Sequence, residues 1–194
     1  MFNYFVKEKS DFLKKKDKSK KGSVDEDIRR IVNTINSKKD YYTTSSCAGR
    51  IVLLEMKSKK KNECNWILTK HNKIKYNEIF TALKNYNKNK KINNQIWFKQ
   101  QPLILHIACR NLDTAKKLLN ATRKIFRRAG IIGITNRKVM IEIIGDERIE
   151  TVIADKNFVA DNNYIKQLVK YANENFEENK KKSEKFLKII QKNL

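Results

Sequence analysis

The sequence predicts an α+β fold: one main domain of helices packed on a mixed or antiparallel sheet, not a Rossmann fold. Three observations carry this. The 194 residues are 40% hydrophobic, enough for a sizeable core. Apolar residues recur at helical spacing in some segments and in short apolar runs in others, in the order α-β-β-α-β-β-α-β-β-β-α. Only five glycines occur, with no G-x-G-x-x-G after a strand and no G-x-x-x-x-G-K-[ST]. A Rossmann cofactor site and a P-loop are therefore both disfavoured.

Along the chain, residues 1–22 are expected to be a basic, partly flexible arm, with six lysines between Lys14 and Lys21. Ser23 and Glu26 form a capping-box pattern, and Asp25, Glu26 and Asp27 suit the positive end of a helix dipole. Val24, Ile28, Ile31, Val32 and Ile35 then recur at helical spacing. "YYTTSSCAGRI" (Tyr41–Ile51) reads as a loop. "RIVLLEMK" (Arg50–Lys57) and "CNWILTK" (Cys64–Lys70) read as paired strands joined by "SKKKNE". A helix from about Tyr76 to Tyr86 should turn Ile79, Phe80, Leu83 and Tyr86 inward.

"QIWFKQ" and "LILHIACR" read as strands separated by Pro102, the only proline, which donates no ladder bond. "NLDTAKKLLNATRKIFRRAG" predicts a helix with Ala115, Leu118, Leu119, Thr122, Phe126 and Ala129 on one face and Gly130 just past its end. Lys117, Lys124 and Arg128 stand opposite, with Lys116, Arg123 and Arg127 on a flank. "IIGIT", "KVMIEII" and "IETVI" read as three strands. A long last helix from about Asn163 buries Ile165, Leu168, Val169, Ala172 and Phe176, and its final turns are expected to run past the core. The expected organisation is an arm (1–22), a catalytic α+β domain (23–182) and a helical end (183–194). The strand order does not follow from the pattern.

The charge narrows the partners. There are 44 Lys and Arg against 21 Asp and Glu, a net +23. Such an excess favours polyphosphate partners through counterion release. A lysine-biased genome or heat adaptation would produce the same composition. No apolar run approaches the ~20 residues that span a bilayer, and the start has no signal-peptide pattern, so a cytoplasmic protein with no membrane partner is expected. The three cysteines are too far apart for zinc-finger spacing. His106 and Cys109 would point to opposite faces of a strand, so no metal site is expected. Disulfides do not suit a reducing cytoplasm.

The stretch Thr43–Arg50 concentrates hydroxyls, a thiol, a glycine and a guanidinium. Small side chains admit close approach by a ligand, Gly49 widens the backbone choices, and Arg50 offers a planar fork to carboxylate or phosphate. The alternatives are a serine-rich turn with a buried cysteine, or a serine or cysteine nucleophile that would need a histidine nearby.

"KGSVDEDI", "YYTTSSCAGRI", "FKQQPLILHIACR", "AGI" and "YIKQLVKYANENFEENKKK" occur in this order between Lys21 and Lys182. Together they resemble the tRNA wybutosine-synthesising protein 3 family. The T-S-S-C-x-G-R-I motif is specific, and it occurs jointly with F-K-x-x-P-x-I-L-H. Ala48 stands where the family usually has serine, and Gln101 where an acid is common. Ile144 and Val152 replace an arginine and a proline.

The resemblance implies an S-adenosylmethionine-dependent tRNA methyltransferase. Its substrate would be the N-4 ring nitrogen of the wybutosine precursor at position 37 of tRNA(Phe), beside the anticodon. Read onto this chain, the resemblance makes His106 the candidate base. On a strand, Ile104, His106, Ala108 and Arg110 would share one face, with Leu103, Leu105 and Ile107 in the core. A hydrogen-bonded structural histidine is the alternative. Ser46 and Cys47 are further catalytic candidates. Ser45, Gly49, Arg50, Lys99, Arg110, His71 and Asn173 are candidates for cofactor or substrate binding. Tyr164 and Asn179 also match the family pattern.

Lys20, Lys21, Arg123 and Arg127 are candidate RNA contacts, with solvated basic faces as the alternative. Trp66, Trp97 and Tyr42 could stack a splayed base or be core and hairpin aromatics. Methyl transfer itself needs no metal. The competing reading is a basic RNA-binding protein without catalysis. A serine or cysteine hydrolase is a distant third, because no nucleophile-elbow motif supports it.

Overall fold

The computed structural model describes residues 4–14, 24–57 and 64–194. The helices are α1 (Tyr4–Leu13), α2 (Glu26–Ser37), α3 (Tyr76–Asn89), α4 (Leu112–Thr122) and α5 (Asn162–Asn193). The strands are β1 (Tyr41–Cys47), β2 (Arg50–Met56), β3 (Cys64–Lys70), β4 (Gln95–Gln101), β5 (Ile104–Cys109), β6 (Arg128–Ile134), β7 (Val139–Ile144) and β8 (Ile149–Ala154). The fold is α+β, with every strand pair antiparallel among the described residues. The chain forms two compact units. The first takes residues to Ala48, Leu103–Asp146 and Asn179–Leu194, and the second takes Gly49–Pro102 and Glu147–Glu178.

The first unit carries the sheet β1-β5-β7-β6. Leu105 and Ile107 of β5 and Ile141 and Ile143 of β7 are fully buried on one face. They share a core with Ile28, Ile31, Val32 and Ile35 of α2, with Leu118 of α4, and with Phe186 and Ile190 of α5. The last turns of α5 therefore do not run past the core, as the sequence suggested. They complete it, because Phe186, Leu187 and Ile190 recur at helical spacing and meet Phe126, whose ring centroid lies 5.6 Å from that of Phe186.

The other face of this sheet carries Tyr42 and Ala108, covered by Phe5 of α1. Phe5 and Phe12, two helical turns apart, each place a ring 5.4 Å from Tyr42. Part of the expected flexible arm is thus a packed helix. Its lysine run past Lys14, with Lys20 and Lys21, lies outside the described residues, as does "SKKKNE". Helix α2 starts later than expected: Val24 and Asp25 are not helical, Ser23 lies outside the described residues, and the Asp25 side chain makes no cap bond.

Two further boundaries differ. "YYTTSSC" is a strand rather than a loop, because its β-branched and aromatic residues suit a half-buried pleat and its hydroxyls suit an edge strand. Helix α4 stops at Thr122, not Ala129. The Thr122 hydroxyl donates back to the Leu118 carbonyl at 2.8 Å, and Ile125 and Phe126 N–H close a turn on the Thr122 carbonyl. Phe126 reaches the core through that turn, still in phase with the helix before it. Ala129 and Gly130 pair with Ile143 and Glu142 in β6, so Gly130 is no helix cap.

The second unit carries the sheet β3-β2-β4-β8. Ile51, Leu53, Ile96, Phe98 and Ile153 face Ile74, Ile79 and Leu83 around α3 and Ile165, Leu168, Val169 and Ala172 of α5. Phe80, expected inward, is 43% exposed and stacks on Tyr76 one turn earlier on the helix flank. Pro102 lies between β4 and β5, outside both ladders.

Candidate active site

In the first unit, β1 is an edge strand paired with β5, and the register slips between Thr43 and Ser45. The bulge leaves Thr44 as the extra residue and returns Ser45 to the face of its cross-strand partner His106. Asn36 of α2 holds this bend, its Oδ1 accepting from Thr43 N–H and from the Thr43 hydroxyl. The Thr44 hydroxyl donates to the His106 carbonyl at 3.3 Å. The strand ends where the Ala48 N–H donates to the Asp25 carboxylate at 2.9 Å. Asp25 thus anchors the hydroxyl-rich strand.

His106 stands opposite Glu142 of β7 in register, and its Nε2 lies 2.9 Å from Glu142 Oε1. The two side chains are 30% and 31% exposed. One row across the sheet therefore reads Ser45, His106, Glu142, Gly130. A Cβ built on Gly130 meets nothing within 4 Å, so the end of the row is open. Cys47 pairs with Ile104 on the same face, whereas Ser46 pairs with the buried Leu105 and lies on the opposite one. The structure thus groups Ser45 and Cys47 with His106 and separates Ser46 from it.

Arg110 follows β5 but is tied down. Its Nε lies 2.5 Å from Asp40 Oδ1, and its guanidinium stacks 5.6 Å over Phe5. Tyr42 is completely buried, and burial raises its hydroxyl pKa, so it is no platform for a base. The Cys109 thiol is pushed up to about 12 by burial, which makes it inert. Arg123 caps α4 and donates from Nε and Nη2 to the Ala129 carbonyl, while Arg127 is exposed in the turn that follows.

In the second unit, Gly49 has φ 108°, the left-handed region that favours glycine. Arg50 donates from Nε to Gln101 Oε1 at 2.6 Å and lies 4.8 Å over the Trp66 ring. Gln101 is a neutral acceptor, so this partner leaves the Arg50 charge uncancelled. Lys99 pairs with Glu150 at 3.5 Å and lies 4.9 Å over Trp97. His71 is half-buried just past β3. Asn173 Oδ1 accepts from Ile74 N–H and its Nδ2 donates to Ile74 O, both at 2.9 Å. In this structure its amide serves the scaffold. Asn179, in the first unit, is buried.

Sequence reasoning missed Glu142, Asn36 and Asp25. Glu142 had a signal: it is the single charged residue in the apolar strand "VMIEII". A carboxylate on a strand otherwise destined for a core needs a partner, and the partner is His106.

A half-exposed imidazole bonded to a carboxylate, with a hydroxyl in register beside it, has the chemical groups to accept or donate a proton. No parallel nucleotide-binding sheet accompanies it among the described residues. Residues 7–192 match the methyltransferase TYW3 family, and the chain belongs to that family. A Methanocaldococcus jannaschii protein named tRNA(Phe) 7-((3-amino-3-carboxypropyl)-4-demethylwyosine(37)-N(4))-methyltransferase is 38% identical over 158 residues, covering 79% of each chain. The Homo sapiens tRNA wybutosine-synthesizing protein 3 homolog is 35% identical over 193 residues, 96% of this chain and 72% of its own. Among solved structures, the PH1069 protein of Pyrococcus horikoshii OT3 matches with a TM-score of 0.81 at 28% identity, covering 96% of this chain and 93% of that one. Among the described residues, no helix is long and apolar enough to cross a membrane.

Proposed function

We propose that this chain is an S-adenosylmethionine-dependent tRNA methyltransferase. It methylates the N-4 ring nitrogen of the 7-aminocarboxypropyl-demethylwyosine base at position 37 of tRNA(Phe), in wybutosine biosynthesis. Family membership and the names of its relatives support the reaction class and the tRNA substrate. The observation that carries the reading onto this structure is the His106–Glu142 pair at 2.9 Å, beside Ser45 on a half-exposed face.

The donor set on that face fits a charged, hydroxyl-bearing methyl donor: a carboxylate, an imidazole and a serine hydroxyl next to open space at Gly130. When bound, S-adenosylmethionine supplies an electrophilic methyl group. His106 would take the proton that the ring nitrogen sheds. Ser45 orients the bound groups through its hydroxyl, and Cys47 lines the same face. In the second unit, Arg50 presents a positive fork to a carboxylate or phosphate, and Lys99 and His71 add polar contacts. The net charge of +23 draws in the tRNA, with Arg127 and the free edge of Arg123 as backbone contacts near the anticodon loop. The protein works in the cytoplasm, where its tRNA substrate is.

The test is to incubate the chain with labelled S-adenosylmethionine and tRNA(Phe) carrying the unmethylated precursor, then digest the RNA and weigh the nucleosides. One added methyl on the precursor base is expected, and His106→Ala should slow the transfer by ~10²–10⁴-fold. Tight tRNA binding with no methyl on a verified precursor would instead establish a basic RNA-binding protein without catalysis.

A further inference from the structure

We infer that Glu142 is a positioning residue that keeps the His106 proton on Nε2 and leaves Nδ1 as the basic nitrogen. The inference rests on the proposed role of His106 and goes beyond it by naming the reactive atom and the group that selects it. An ionised carboxylate only accepts hydrogen bonds. With Glu142 ionised, His106 Nε2 at 2.9 Å from its Oε1 is the donor. A neutral imidazole carries one N–H, so the lone pair lies on Nδ1.

The geometry is held by the fold rather than by the pair itself. His106 and Glu142 are register partners on adjacent antiparallel strands. Their sequence neighbours Leu105, Ile107, Ile141 and Ile143 are completely buried on the opposite face, which fixes both strands. The Thr44 hydroxyl holds the His106 carbonyl from the other side. Gly130, next in the row beyond Glu142, brings no side chain to compete for the carboxylate. A carboxylate that orients a histidine in this way fixes which nitrogen does the chemistry, and its loss costs turnover through the wrong tautomer rather than through binding.

The experiment labels the full chain with ¹⁵N-histidine and reads the imidazole tautomer from long-range ¹H–¹⁵N correlations. The chain has two histidines, so His71→Gln assigns the signals. The expected result is a dominant Nε2–H form for neutral His106 in the wild-type chain and a mixed population in Glu142→Ala. In the methylation assay, Glu142→Ala should lower kcat by about tenfold or more with KM for tRNA little changed, and Glu142→Asp should recover part of the loss. If the alanine variant does not fold, Glu142→Gln replaces it, because its amide keeps the volume but accepts or donates equally well.

A dominant Nδ1–H form in the wild type, or an unchanged kcat in a folded Glu142 variant, would overturn the assignment. The tautomer is read without substrate. A wild-type chain that transfers no methyl therefore overturns the functional reading alone, and the spectra still decide the role of Glu142.

Discussion

Asn36 Oδ1 accepts two hydrogen bonds from one residue, from the Thr43 N–H at 2.8 Å and from the Thr43 hydroxyl at 3.0 Å. This carbonyl on α2 holds the bend in β1 that sets Ser45 beside His106. Asn36→Ala removes both bonds and leaves Thr43, which is buried, with orphaned donors. A loss of about 1–3 kcal/mol in urea unfolding is expected. Methyl transfer should fall further than the folded fraction does, since the bulge is released. Asn36→Asp, which keeps the acceptor, should restore both.

Asn173 and Ile74 form the matching clasp in the second unit. Asn173→Ala is expected to cost about 1–3 kcal/mol, because the Ile74 N–H and C=O lose their partner together. Hydrogen exchange of the Ile74 amide checks this directly: exchange should quicken at that amide more than at the centre of β2.

Gly49 sits at φ 108° between β1 and β2. Gly49→Ala places a Cβ in a conformation that L-residues rarely adopt, with an expected cost of about 1–3 kcal/mol. A lowered denaturation midpoint at constant m-value would show strain in the native state.

Gly130 gives the contrasting case. Its φ is not positive, and an added Cβ meets nothing within 4 Å. Gly130→Ala should stabilise the chain by about 0.4–1 kcal/mol, through the reduced entropy of the unfolded state. Thermal unfolding of the two alanine variants side by side should move the midpoint in opposite directions.

Glu55 is 1% exposed, in β2. Burial pushes its carboxyl pKa up, but hydrogen bonds from Asn94 at 2.9 Å and from Tyr86, with the charge and hydrogen bond of Lys90 at 3.4 Å, together outweigh burial, and the net direction is down. A lowered folded pKa means that the unfolded chain binds the proton more readily. The stabilisation from Glu55 is therefore present above the ordinary carboxylate value of ~4.3 and lost as pH falls through the lower folded value. Glu55→Gln should flatten the acid limb of a stability–pH curve in that window and leave its slope above pH 6 unchanged.

The strands on either side of the lysine-rich "SKKKNE" were legible in the sequence, as was the last helix. Strand β3 was placed at both ends, and β2 and α5 to within a residue of their observed limits. Strand β1 was hidden because serines and threonines serve an edge strand as readily as a loop. Helix α4 was overextended because Phe126 keeps its helical phase after the helix has ended. The strand face that carries His106 was legible, as was its separation from the buried Leu105 and Ile107. Glu142 was not, because the pairing of β5 with β7 joins residues 36 apart and periodicity carries no such information. The orders β1-β5-β7-β6 and β3-β2-β4-β8 were hidden for the same reason.

Ile190 shares a core with Ile28. During synthesis the first unit cannot close when its strands emerge, because Phe186, Leu187 and Ile190 of its core follow all of those strands in the chain. Until then the inner face of its sheet lacks its final cover. The second unit needs nothing beyond Glu178 and can settle first. A chain ending at Glu178 should therefore present a protease-resistant second unit and a sensitive first one, and the His106 row would set only once Phe186 and Ile190 have joined the core.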